Sequence, residues 1–377
     1  MDLKYKRDVF DALMKKNGGI LDVEEFNGEI ENNISPSALL GYGLEHFRQQ
    51  VKRFRPEDAD DAPHPYNGIE DIEVYYVNNE SINAWAVSEK QTGIEFIGLT
   101  YMTSLQLQSY FSLLLSTKEF LHNIGSSSNE ELTLRDAIVD LQKLNGQHFG
   151  KVHPKCKDRQ KVAFALWHMA MDFLCFHEIG HHVRGHLFLL KTKFGYYEIS
   201  EFWANEYSRD RDFYSLCQLL ETDADRWATI ATGVLTEKIF PILELNKFGI
   251  PFNEFRFIAY SILFHIFDES SIDNSLGRSS THPHPAIRRA NILFFIVTAT
   301  AKTQEQFTAE IMQYSNIVDY IELTLSILTK YPEYKRRVKE KDVNGSARTL
   351  RLDLNELVDN SLLGFIDERN KIKMKQE

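Results

Sequence analysis

Cysteine is scarce in this chain: three in 377 residues, at positions 156, 175 and 217, with no repeating spacing. That rules out a disulfide framework, and an odd count of this kind fits a reducing compartment. Cys175 and Cys217 fall in apolar helical runs, where a free thiol packs as a small hydrophobe. An excess of positive charge is missing as well. Lys and Arg number 43 against 54 Asp and Glu, giving a formal net charge of −11, the wrong sign for a nucleic-acid footprint. The basic run at residues 335–339 reads as a solvated helix face. Long apolar runs are also lacking. The longest, residues 162–176 and 290–301, fall short of the roughly eighteen residues a membrane span needs. No signal-type apolar stretch follows the charged start Met1-Asp2-Leu3-Lys4. The expectation is a soluble, cytoplasmic protein that engages neither nucleic acid nor membrane.

What is present suffices for a substantial core, since 43% of residues are hydrophobic. Residues 1–54 show helical periodicity around Phe10, Leu13 and Met14 and again over 38–51. The stretch 55–68 is acidic and rich in Pro and turn residues, so it reads as a boundary. Three short strand-like segments follow, at 71–77, 82–87 and 93–99. Helical patterns then take over, at about 104–120, 134–144, 209–238 and 255–267 and through 302–377, and a long apolar helix follows the loop 145–158. The reading is an α+β, mostly α fold with a small N-terminal β-sheet or hairpin. It divides into an N-terminal helical extension (1–66), a core (67–300) and a C-terminal helical extension (301–377).

Inside the long apolar helix lies His177-Glu178-Ile179-Gly180-His181. Residues four apart share a helix face, so both imidazoles can grip one metal ion, while Glu178, turned about 100° away, stays free. That is the zinc-hydrolase division of labour: two His ligands, and a carboxylate to take a proton from water. Such a site needs a third protein ligand and keeps one position open. Glu221-Thr222-Asp223-Ala224-Asp225 offers one, with Glu221 and Asp225 on one face of a helix whose neighbours Leu216, Leu220 and Trp227 are apolar. Buried carboxylates demand partners. One can bind the metal and the other can hold a ligand imidazole by its second nitrogen.

The pairing of HExxH with a later ExxAD resembles the signature of gluzincin metallopeptidases. Thr281-His282-Pro283 with Arg288 and Arg289 is similar to their THP…R motif. The segments at 74–77, 83–86 and 94–99 resemble the strand, NAxA and strand pattern ahead of the metal helix. Within that group the likeness is greatest to the Lit-type phage-exclusion peptidases, where a further His follows as His186 does here. It covers residues 70–300. The resemblance implies a zincin-like core, one Zn2+ on His177, His181 and Glu221, and Glu178 as general base. It implies that Asp225 orients His177 and that His282 donates to the developing oxyanion. Asn83, Ala84, Trp85 and Ala86 would form an edge strand that pairs with extended substrate. His182 and His186 read as structural, the first one residue off the ligand face and the second about 140° round from His181 on an ideal helix. His168 and His265 read as core histidines, and His148, His153 and Cys156 as surface-loop residues.

The function expected is a zinc endopeptidase cleaving an intracellular protein. The family likeness implies an antiphage protease acting on a translation factor such as elongation factor Tu, held quiet until a phage-derived or other protein activator appears. A repressor-cleaving regulatory protease is the alternative, although no DNA-binding helix-turn-helix is evident. A non-catalytic zinc-stabilised binding protein has no use for Glu178 or an open position.

Overall fold

The computed structural model describes residues 2–24, 35–52, 72–90, 94–141, 152–200, 211–235, 241, 243–271, 282–312, 314 and 324. The expected boundary at 55–68, His148, Thr281, the basic run and most of the C-terminal extension lie outside the described residues.

Two helices open the chain, α1 (Leu3–Met14) and α2 (Pro36–Lys52). Three strands rich in β-branched and aromatic residues follow: β1 (Ile72–Val77), β2 (Ala84–Ser88) and β3 (Glu95–Thr100). Chain reversal from β3 into α3 (Tyr101–Leu115) takes no loop, because the Thr100 side chain caps the helix by accepting from the Thr103 amide. Next come α4 (Leu134–Leu141), the 27-residue α5 (Lys157–Val183) and α6 (His186–Phe194). A short strand β4 (Glu198–Ser200) precedes α7 (Arg211–Leu235), α8 (Phe252–Ser271) and α9 (Pro285–Thr300). Residues 304–312 are also helical. The architecture is α+β and mostly helical, with a small four-stranded sheet.

Strand order is β1-β3-β2-β4. β1 runs parallel to β3, and β2 is antiparallel to both β3 and β4. Side chains alternate across the sheet as pleating requires. Tyr75, Val77, Trp85, Val87 and Phe96 pack with Phe10 and Met14 of α1 on one face. Val74, Tyr76, Ala84, Ile97 and Leu99 face the main core on the other. Helix α2 enters that same core through Leu40 and Phe47, so α1 and α2 are packed into the body that carries the HExxH helix.

Helix α5 is the axis of the molecule. It packs on α3, α7, α8 and β2, so it is apolar nearly all round rather than on one stripe, as a helix enclosed by neighbours must be. By length and composition it could cross a membrane, yet 94% of its apolar window is buried inside the fold, which makes it a core helix. Its N-terminal end is anchored by Arg159, fully buried, whose guanidinium donates to five carbonyls of the last residue of α3 and the loop after it: Leu115, Thr117, Phe120, Leu121 and Ile124.

Candidate metal centre

The close crossing of α5 and α7 builds the site. A Cβ added at Gly180 would come within 2.9 Å of Trp227 Cδ1 and 3.5 Å of the Ala224 Cα. Only glycine at 180 and a small residue at 224 allow this approach. It brings the acidic turn of α7 against the two histidines of α5.

His177, His181 and Glu221 each offer a ligand atom, all within 4.8 Å of one another, and all three residues are buried. Nε2 of His177 lies 3.0 Å from Nε2 of His181 and 3.1 Å from Glu221 Oε2. Nε2 of His181 is 3.4 Å from Glu221 Oε1. Each imidazole is held through its other nitrogen. Nδ1 of His177 lies 2.9 Å from Asp225 Oδ1, and Asp225 is gripped by both Nε and Nη2 of Arg288, at 2.9 and 2.8 Å. Nδ1 of His181 lies 3.0 Å from Nδ1 of His186, whose Nε2 is 3.1 Å from Asp223 Oδ2. Arg184 Nε closes that chain by donating to the same carboxylate at 2.8 Å.

Asp225 and Asp223 are acceptors, and the tautomers that serve them are assigned from that. With Nδ1–H of His177 donated to Asp225 and Nδ1–H of His181 donated to His186, both Nε2 atoms carry lone pairs in the neutral rings. They then face each other and a carboxylate in a dry interior, an arrangement that repels itself unless a cation sits between. A proton is a poor candidate, because burial pushes the His181 imidazole well below its ordinary range even though Glu221 pulls the other way. Burial raises the Glu221 carboxyl, but the imidazoles of His282, His181 and His177 outweigh it and hold Glu221 well below the usual carboxylate range. A neutral His181 imidazole beside an ionised Glu221 carboxylate is the state a divalent ion requires of its ligands. The N,N,O donor set suits zinc and related first-row ions.

Glu178 is buried on the same turn as His177 and is not one of the three clustered donors. His282 comes in from the segment before α9, with Nε2 3.2 Å from Glu221 Oε2 and its side chain 11% exposed. His284, two residues on, accepts from the Ala286 amide and caps α9. His182 Nε2 bonds the Phe96 carbonyl at 3.0 Å and ties α5 to β3. His168 and His265 are both buried.

Two sequence expectations need correction. Asn83 to Ala86 were expected to lie on a free sheet edge, but the outer side of β2 is taken. Trp85, Ala86 and Val87 pair with Ser200, Ile199 and Glu198 of β4. Asn83 itself is a fold residue: its amide faces Thr100 Oγ1 and Thr103 Oγ1 at 3.2 and 3.0 Å, and its carbonyl accepts from the Thr100 amide. His186 was placed far round the helix from His181, yet the two rings touch. Gly185, at φ +74°, breaks the helix between α5 and α6, so the ideal-helix angle does not carry across. Asp223, the middle acid of the α7 turn, was assigned no role and is the partner of His186 and Arg184.

Comparison with models of known protein families, with curated proteins and with solved structures found no match to this chain.

Proposed function

We propose that the protein is a zinc-dependent endopeptidase of gluzincin type with a zincin-like core. The observation that carries this reading is the convergence of His177, His181 and Glu221, all through lone-pair-bearing atoms, with a buried Glu178 on the adjacent helix position. A zinc ion held by the three would supply the Lewis acidity that makes water nucleophilic at neutral pH. Glu178 is the buried carboxylate placed to accept a proton from water and would pass it to the leaving amine. Asp225 with Arg288, and His186 with Asp223, keep the two ligand imidazoles in the Nδ1–H tautomer and fix their orientation. His282 donates to the oxygen on which negative charge develops.

The β4 pairing along β2 supports a latent form. An extended substrate that binds by strand addition would need the edge that residues 198–200 occupy, and a strand of three residues is a small barrier for an activating protein to displace. The motif order and spacing, similar to Lit-type peptidases, support an antiphage role with a translation factor such as elongation factor Tu as substrate. The test is to map new protein N-termini in cells expressing the native chain or Glu178→Gln, with and without phage challenge. A cleavage present only with the native chain supports the reading. Identical N-termini in both strains under every condition would overturn it, and intact elongation factor Tu throughout would remove that target.

A further inference from the structure

Nine residues before the first metal-site histidine, α5 carries a second set of donors. His168 and Asp172 are an i, i+4 pair on α5, and His46 reaches them from α2. Nε2 of His46 lies 2.6 Å from Asp172 Oδ1, and Nδ1 of His168 lies 3.2 Å from Asp172 Oδ2. The two imidazoles meet edge to face with ring centroids 4.4 Å apart. One ligand atom from each residue falls within 4.8 Å of the others.

The burial and convergence of these three donors suit a bound ion. The His168 side chain is 2% exposed and Nδ1 faces Asp172, while Nε2 has no hydrogen-bond partner, an unfavourable state for a polar atom of a buried ring. Tyr42, Phe164 and Trp167 pack their rings around His168, so water is excluded from one side. His46, with 13% of its side chain exposed, leaves an entry path from solvent. Asp172 is buried as well.

We propose that His46, His168 and Asp172 form a second binding site for a first-row divalent transition-metal ion, which fastens α2 to the helix that carries the HExxH motif. Two imidazoles and one carboxylate are the donor set such ions accept, with remaining positions filled by water. On an ideal helix His168 and His177 are about 180° apart and about 13 Å along the axis. The two sites therefore lie on opposite faces of α5 and are separate mononuclear centres, not a paired one. The role is structural, joining the N-terminal helices to the core, and it does not depend on the proposed peptidase activity.

The experiment is metal content of the full chain after saturation with Zn2+ and removal of loosely held ion, backed by the visible spectrum of the Co2+ form. Two equivalents are expected in the native protein, one in His46→Ala, one in His177→Ala and none in the double variant. Because His46 also packs against Phe47 and His168, His46→Gln, which keeps a polar side chain of similar size, is the second variant and is expected to give the same metal counts as His46→Ala. Thermal unfolding with and without Zn2+ in the His177→Ala background gives an independent reading, with a Zn2+-dependent rise in Tm that His46→Ala removes. One equivalent in the native protein, lost in His177→Ala and untouched by His46→Ala, would overturn the proposal. So would two equivalents, or a Zn2+-dependent Tm, that His46→Ala fails to change.

Discussion

Replacing His186 with Phe isolates the part of the candidate centre that orients a ligand without touching the metal. In the native protein His181 Nδ1–H points at His186 Nδ1 over 3.0 Å, and His186 Nε2–H points at Asp223 over 3.1 Å. Phenylalanine fills similar volume in this buried position but offers no acceptor. The His181 ring then loses the contact that fixes its tautomer, and Asp223 keeps Arg184 as a charged partner at 2.8 Å, so no buried charge is stranded. Loss of such an orienting group weakens metal binding by about 10- to 100-fold, which is about 1.4–2.7 kcal/mol. The assay is competition for Zn2+ against a chelator of known affinity, with His182→Phe as the parallel variant, since His182 bonds the Phe96 carbonyl and lies outside the chain. A weaker Kd in His186→Phe alone is the expected result. An unchanged Kd would refute the orienting role, and complete loss of metal would show that His186 is itself a ligand.

Four further outcomes follow from the same geometry. Glu178→Gln retains its metal by elemental analysis while peptide hydrolysis falls by about 10²- to 10⁴-fold; full activity would remove Glu178 as the base. Gly180→Ala drives a methyl group against Trp227 and the α7 backbone, costing about 1–3 kcal/mol of stability and weakening Zn2+ binding because Glu221 rides on α7; native Tm and affinity would contradict the close crossing. Burial, aided by the Arg289 charge, lowers the His265 pKa from 6.5 to about 3, so between those values the unfolded chain takes up a proton that the folded chain refuses, and stability falls as pH drops below 6.5. By pH 5 that group contributes a loss of about 2 kcal/mol, so His265→Phe should show a correspondingly shallower change in denaturation midpoint between pH 7 and 5, and equal changes would count against it. Ile199→Pro, which breaks the β4 ladder opposite Ala86, should raise cleavage in the absence of an activator; an unaltered requirement for activation would show that β4 is not the block.

Much of the local structure was legible because short-range chemistry decides it. The alternation around Val74 and Tyr76, and the β-branched residues of 94–99, gave β1 and β3 nearly to the residue. The His177, His181 and Glu221 cluster was legible for a related reason: four-residue spacing on a helix is rigid, so His177 with His181, and Glu221 with Asp225, could be placed on faces before either helix was seen. What sequence patterning left open was whether the two faces meet. That depends on Gly180 lying against Trp227 and Ala224, a contact between helices 44 positions apart that no local pattern encodes.

The misses share a cause as well. His186 was mis-aimed because a single left-handed glycine resets the helix direction, and a periodic reading extrapolates straight through it. Arg159 drew no attention in the sequence, yet it spends its donors on five carbonyls of the last residue of α3 and the loop after it. β4 escaped notice because three residues carry too little alternation to register, and its consequence exceeds its size, since it converts β2 from an edge into an interior strand. Backbone pairing of this kind is fixed by partners distant in sequence. A motif can therefore suggest a substrate-pairing strand while leaving open whether substrate can reach it, and in this chain the access to β2, more than the proposed metal chemistry, is where control of the proposed activity would lie.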